Sequence, residues 1–167
     1  MRQLARQKAQ AGTYLTNGVE LDQALGTMIG GRRIAKYAGE SWEGLLYKEI
    51  PLAETVAIVN MDKLGGPGTH WTAFACDNGW NDIYYYDSLG KAPPAGLTKL
   101  LKGKSPNANI YYFDSQTQPD ASQKCGFYAL EFLRRYLAGQ RAPELYDWQY
   151  DDRNPRVMEA NDKKVVQ

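Results

Sequence analysis

The chain holds one histidine, His70, and two cysteines, Cys76 and Cys125. If a histidine moves a proton here, it must be His70. Cys125 opens SQKCGFYALEFLRRYLAG, where Phe127, Leu130, Leu133 and Leu137 recur at helical spacing and Gly139 provides a stop. A thiol in the first turn of a helix faces unpaired amide N–H groups and the positive end of the helix dipole. Both favour thiolate over thiol, the form that acts as a nucleophile. Gly126 presents no side chain against an approach to the sulfur. The plain alternative is a structural cysteine, since free cysteines are among the most buried residues.

His70 follows a glycine-rich turn, KLGGPG at 63–68, and enters the alternating run THWTAFACD. Asp87 closes the next run, NDIYYYDS, and the intervening Asp77-Asn78-Gly79 is a hairpin signal. That hairpin sets a carboxylate where it can orient the imidazole, as the third member of a catalytic triad does. Asp82 and Asp114 are not expected beside His70. Gln118 lies seven residues before Cys125, in the polar loop QTQPDASQK. Its amide is placed to join the Cys125 backbone N–H as an oxyanion hole. A Cys/His zinc site is excluded by count, and no cofactor or metal is called for.

These residues need elements to hold them. A helix is expected over 19–28, capped by Thr16 or Asn17 and stopped by Gly30-Gly31. Residues 32–51 give no clear signal. Strands are expected over 54–61, 69–76, 81–88 and 109–116, and Cys76 falls inside one of them. Pro93-Pro94 opens a short helix over 95–101 that Gly103 closes. After the long helix, Pro143 and Pro155 mark an irregular region. The order gives an α+β fold in a single domain spanning 1–167, with 1–12 as a flexible or helical arm and 156–167 as a polar tail.

Hydrophobic residues make up 43% of the 167-residue chain and charged residues 23%, the balance of an ordinary globular domain. No run approaches the ~18 apolar residues that span a bilayer, and no signal-peptide core follows Met1, so neither membrane insertion nor secretion is expected. Two thiols in such a protein are more often reduced than bridged. Twenty basic against nineteen acidic residues leave a net charge of +1, which argues against a nucleic-acid coat. The clusters Arg2, Arg6, Lys8 and Arg32, Arg33, Lys36 read as a solvated arm and an exposed face.

GTHWTAFA, YYYDSLG and Q-x6-CGFYALEFL resemble the three signature blocks of the adenovirus-type maturation proteases, the adenains. These belong to the clan that includes the SUMO-type and ubiquitin-like-protein proteases. The resemblance covers residues 69 to about 136. VNMD and GGPGTHW are similar to the adenain-like enzymes of virophages and related double-jelly-roll DNA viruses. Asp87 departs from the glutamate usual in adenoviruses and matches the SUMO-type branch.

The resemblance implies a mixed central sheet packed with helices and the nucleophile at the start of the long helix. It implies His70 and Cys125 as an imidazolium–thiolate pair, Asp87 as orienting acid, Gln118 at the oxyanion and Trp71 as a shield. The function implied is a viral cysteine endopeptidase that cleaves capsid or virion precursors during maturation, in the virion and the infected-cell cytoplasm. It implies a preference for small residues, Gly-Gly, before the scissile bond, and a monomer. A deubiquitinase or deSUMOylase is the alternative. A structural or binding domain with an incidental Cys and His does not account for the matching blocks. Adenoviral enzymes are activated by DNA and by a disulfide-forming peptide. The strand position of Cys76 argues against carrying the disulfide over, and the near-neutral charge leaves activation by DNA or by a peptide open. Met28-Ile29-Gly30-Gly31 before Arg32 reads as a helix stop, and alternatively as a self-cleavage site.

Overall fold

The computed structural model describes residues 17–61, 70–120, 122–148 and 155–165. Five strands, β1 (Ala35–Ser41), β2 (Thr55–Asn60), β3 (Trp71–Cys76), β4 (Asp82–Tyr86) and β5 (Asn109–Tyr112), form one sheet in chain order. The inner three are antiparallel, and each outer strand runs parallel to its neighbour. Parallel neighbours need a crossover, and here each carries a helix. A 3-10 helix (Trp42–Tyr47) lies between β1 and β2, and α2 (Ala95–Lys104) lies between β4 and β5. The other helices are α1 (Gly18–Ile29), α3 (Cys125–Leu137), a second 3-10 helix (Glu144–Tyr146) and α4 (Pro155–Lys164).

THWTAFACD alternates in sequence, yet every residue of β2 and β3 is buried. Both faces of the sheet are covered, so the alternation sorts residues between two cores rather than between core and water. Trp71, Ala73, Ala75, Tyr84 and Tyr86 face α1 and α3, meeting Leu21, Leu25, Phe132 and Leu133. Phe74, Cys76, Ile83 and Tyr85 face the other way, against Leu97 and Leu101 of α2 with Leu45 and Trp80. Cys76 and Cys125 therefore lie on opposite sides of the sheet, and both are free thiols.

Several boundaries differ from those the sequence predicts. The cap is as expected, since Asn17 closes the start of α1 by accepting from the Glu20 N–H at 2.9 Å. The segment without a signal contains β1, whose register shifts between Ala38 and Glu40 around Gly39 at φ +94°. Its closeness to α1 explains the glycines, because a Cβ on Gly18 would lie 2.7 Å from the Gly39 Cα. Gly103 does not close α2, which runs on to Lys104. A lone helical glycine costs only about 1 kcal/mol relative to alanine, too little to end a helix by itself. β5 stops at Tyr112, which pairs with Tyr85, one residue before β4 itself ends at Tyr86.

The largest correction is at the C-terminus. Residues expected as a polar tail form α4, with Pro155 as its first helical residue, a position where proline fits. Asn161 is fully buried and Val165 joins the core beside α3. The expected 1–12 arm, Thr16 and the 63–68 turn lie outside the described residues. No helix among the described residues is long and apolar enough to cross a membrane.

Candidate active site

β3 and β4 make the site because their last pair, Ala73 opposite Tyr86, leaves the start of β3 and the end of β4 at one rim of the sheet. His70 stands just before β3 and Asp87 just after β4. The His70 carbonyl accepts from the Met61 N–H at 2.8 Å, which ties it to the end of β2. α3 packs on the face carrying Trp71 and delivers Cys125, its first residue, to the same rim.

His70 Nε2 lies 2.8 Å from Asp87 Oδ1. The same carboxylate oxygen accepts from the Leu89 N–H at 2.8 Å, and the Gly90 N–H donates to the Asp87 carbonyl at 2.8 Å. DSLG is thus a turn that fixes the acid's rotamer through its own backbone. The Trp71 N–H donates to Cys125 Sγ at 3.4 Å, and Cys125 is only 3% exposed. With Nε2 committed to Asp87, Nδ1 is the nitrogen left for the sulfur.

Burial works against a charged imidazole, but hydrogen bonds to Asp87 and Cys125, with the attraction of their charges, outweigh it. His70 is raised from 6.5 to about 9 and stays protonated through neutral pH. Cys76 is the opposite case. Buried in an apolar layer, its thiol is pushed far up and remains neutral.

Gln118 is 3% exposed, and its amide is well occupied. Its Oε1 accepts from Ser88 Oγ at 2.5 Å, while its Nε2 donates to the Ser122 carbonyl at 2.7 Å. The Ser88 carbonyl accepts from both the Thr117 and Gln118 N–H groups, at 2.9 and 3.1 Å. Gln118 therefore sits between the acid's turn and the lead-in to α3, with one of its two amide hydrogens committed to Ser122. Asp82 lies at the far end of β4, bonded to Asn109 Nδ2, well away from His70. Trp71 is 4% exposed and packs in the same core as Cys125.

Ser88, Ser122, Asn161 and Asp162 are residues that sequence reasoning misses. Ser88 lies within the YYYDSLG block but suggests no role there. The other three carry no sequence signal, since the Ser122–Asp162 and Thr117–Asn161 contacts form only when α4 docks.

No protein-family model matches the chain. Over 90 residues, half of the chain, it is 32% identical to a protein of Acanthamoeba polyphaga mimivirus named as a thiol protease, R355, and covers 30% of that relative's length. The ASFV pS273R protease superposes with a TM-score of 0.65 at 16% identity, over 89% of this chain and 67% of that one. The Ulp1 protease domain, solved in complex with SMT3, the yeast ortholog of SUMO, gives 0.54 at 15% identity, over 91% and 75%. The chain has the SUMO-protease and adenain-like cysteine protease fold, an α+β architecture built on this mixed sheet. Its relative by sequence is named a thiol protease, and the two solved neighbours are named proteases, Ulp1 with a catalytic cysteine.

Proposed function

We propose that the chain is a cysteine endopeptidase of a virus, with Cys125 as nucleophile, His70 as its acid–base partner, Asp87 as the orienting acid and Gln118 at the oxyanion. The observation that carries this reading is the imidazole set between Asp87 and Cys125 and held protonated up to about pH 9. The Cys125 thiolate attacks a peptide carbonyl, and the oxygen's new charge is met by the Cys125 backbone N–H and the Gln118 amide. His70 gives its proton to the departing amine. The thioester is then hydrolysed by a water whose proton His70 takes, which restores the pair. Asp87 holds the ring in its orientation throughout.

Capsid or virion precursors are the proposed substrates, cut during maturation in the infected-cell cytoplasm or the virion, with small residues, Gly-Gly, before the scissile bond. The proposed preference has a steric ground, since glycine has no Cβ to clash where a substrate passes close beside a nucleophile. The viral relative favours this reading. The isopeptidase alternative is favoured by the fold shared with Ulp1, whose solved partner is SMT3. The protein is proposed to act as a monomer.

The test is hydrolysis of capsid-derived peptides beside a ubiquitin-like fusion, by wild type, Cys125→Ala and Cys76→Ala. Cys125→Ala is expected to abolish turnover with the fold intact, and Cys76→Ala to keep most of it. Turnover by Cys125→Ala equal to wild type would end the proposal. Cleavage of the fusion alone would transfer it to the isopeptidase reading.

A further inference from the structure

The helix that carries Cys125 starts without a side-chain cap, since no side chain of Lys124 closes its first turn. Something else must hold that turn still, and the contacts lead to α4. Asp162 Oδ1 accepts from Ser122 Oγ at 2.9 Å and from Tyr128 Oη at 2.8 Å. Asp162 Oδ2 lies 3.8 Å from Lys124 Nζ. One carboxylate thus engages three residues spread from just before the nucleophile to the first turn after it. Ser122 Oγ in turn accepts from the Lys124 N–H at 3.3 Å, at the point where α3 begins.

The neighbouring residue secures the other end of the same loop. Asn161 Nδ2 donates to the Thr117 carbonyl at 3.0 Å, next to Gln118. Thr117 Oγ1 shares a 2.5 Å hydrogen bond with the hydroxyl of buried Tyr86 on β4. Gln118 lies between these anchors, and the Ser122 carbonyl that receives its Nε2 belongs to the residue that Asp162 orients. The chain of bonds runs Asp162, Ser122, Gln118, Ser88, and ends beside Asp87. Ionised acceptors make the shorter and stronger hydrogen bonds, which suits Asp162 to be the fixed point of the series.

We infer that Asp162 is a positioning residue for the oxyanion side of the site, acting through Ser122 on Gln118 and on the backbone N–H of Cys125. It touches neither substrate nor sulfur. The inference rests on the protease reading above and adds to it a control held in the last helix. Donors at an oxyanion must be set in place before the charge develops, and a misplacement of about 1 Å can cost about 100-fold in rate. Alkylation of a thiolate needs no oxyanion donor, so the two reactions separate this role from a general loss of structure.

The experiment uses the full chain and whichever peptide of a quenched fluorogenic library wild type cleaves fastest. Asp162→Ala is expected to lower kcat about 10- to 100-fold while KM stays within about twofold, with the rate of iodoacetamide modification of Cys125 unchanged. Asp162→Asn, which keeps an acceptor oxygen in place, is expected to recover most of that loss. If Asp162→Ala does not fold, Ser122→Ala must give the same split between kcat and alkylation. A wild-type kcat in the folded variant overturns the inference, as does a loss of kcat matched by equally slowed alkylation. A wild type that cleaves nothing in the library, with iodoacetamide reacting no faster at Cys125 than at a free thiol, would sink the protease reading and this inference with it.

Discussion

At the scale of single residues, the imidazole would set the working pH of the proposed protease. His70 is protonated until about pH 9, so kcat/KM is expected to hold through neutral pH and to fall on an alkaline limb near 9. A folded-state value above the ordinary 6.5 also means that His70 contributes stability complete below about pH 6.5 and lost as pH rises through 9. The gap in Tm between wild type and His70→Ala should therefore shrink from pH 6 to pH 9.5, and a constant gap would contradict it. His70→Ala should also slow alkylation of Cys125, because the sulfur loses its cationic neighbour; unchanged kinetics would remove His70 from the proposed mechanism. These groups are legible because the chain offers one histidine and one helix-start cysteine, so few arrangements exist to consider. Ser122 and Asp162 are not legible, since hydroxyls and carboxylates are plentiful and only the docking of α4 pairs them across forty residues.

At the scale of elements, two glycines separate a necessary backbone from an incidental one. Gly90 sits at φ +77° in the acid's turn, and a Cβ there would lie 2.7 Å from the Ser115 carbonyl carbon and 2.8 Å from the Gln116 nitrogen. Both are backbone atoms of the segment that leads to Gln118, and neither can yield cheaply. Gly90→Ala is expected to cost about 1–3 kcal/mol by urea denaturation and to lower kcat/KM, because the Asp87 turn and the Gln118 loop are pushed apart. Gly103 has an ordinary helical φ, and a Cβ added to it would meet nothing within 4 Å. Gly103→Ala should raise stability by about 0.5–1 kcal/mol and leave activity alone. The inner strands and α3 are readable because burial on two faces demands continuous apolar runs, and α3 has a clear apolar stripe. β1 is hidden by its glycine bulge and mixed composition, and α4 by its polarity, since it is secured by hydrogen bonds from Asn161 and Asp162 more than by greasy contacts.

At the scale of the whole molecule, the sheet divides the interior into two compartments, one behind the site and one under α2. The two sulfurs fall one to each side, and that placement turns the protein into its own unfolding clock. Cys76 is fully enclosed on the side of the sheet away from Cys125, with its thiol held neutral by burial. A reagent in solution can reach it only when the central strands part. In Cys125→Ala, where no other sulfhydryl competes, modification of Cys76 by an aromatic disulfide should be negligible in native buffer. Added urea should accelerate it with the same slope that describes global denaturation. A rate indifferent to urea would mean that the compartment breathes locally, and that the wall between the two sides is thinner than its five strands suggest.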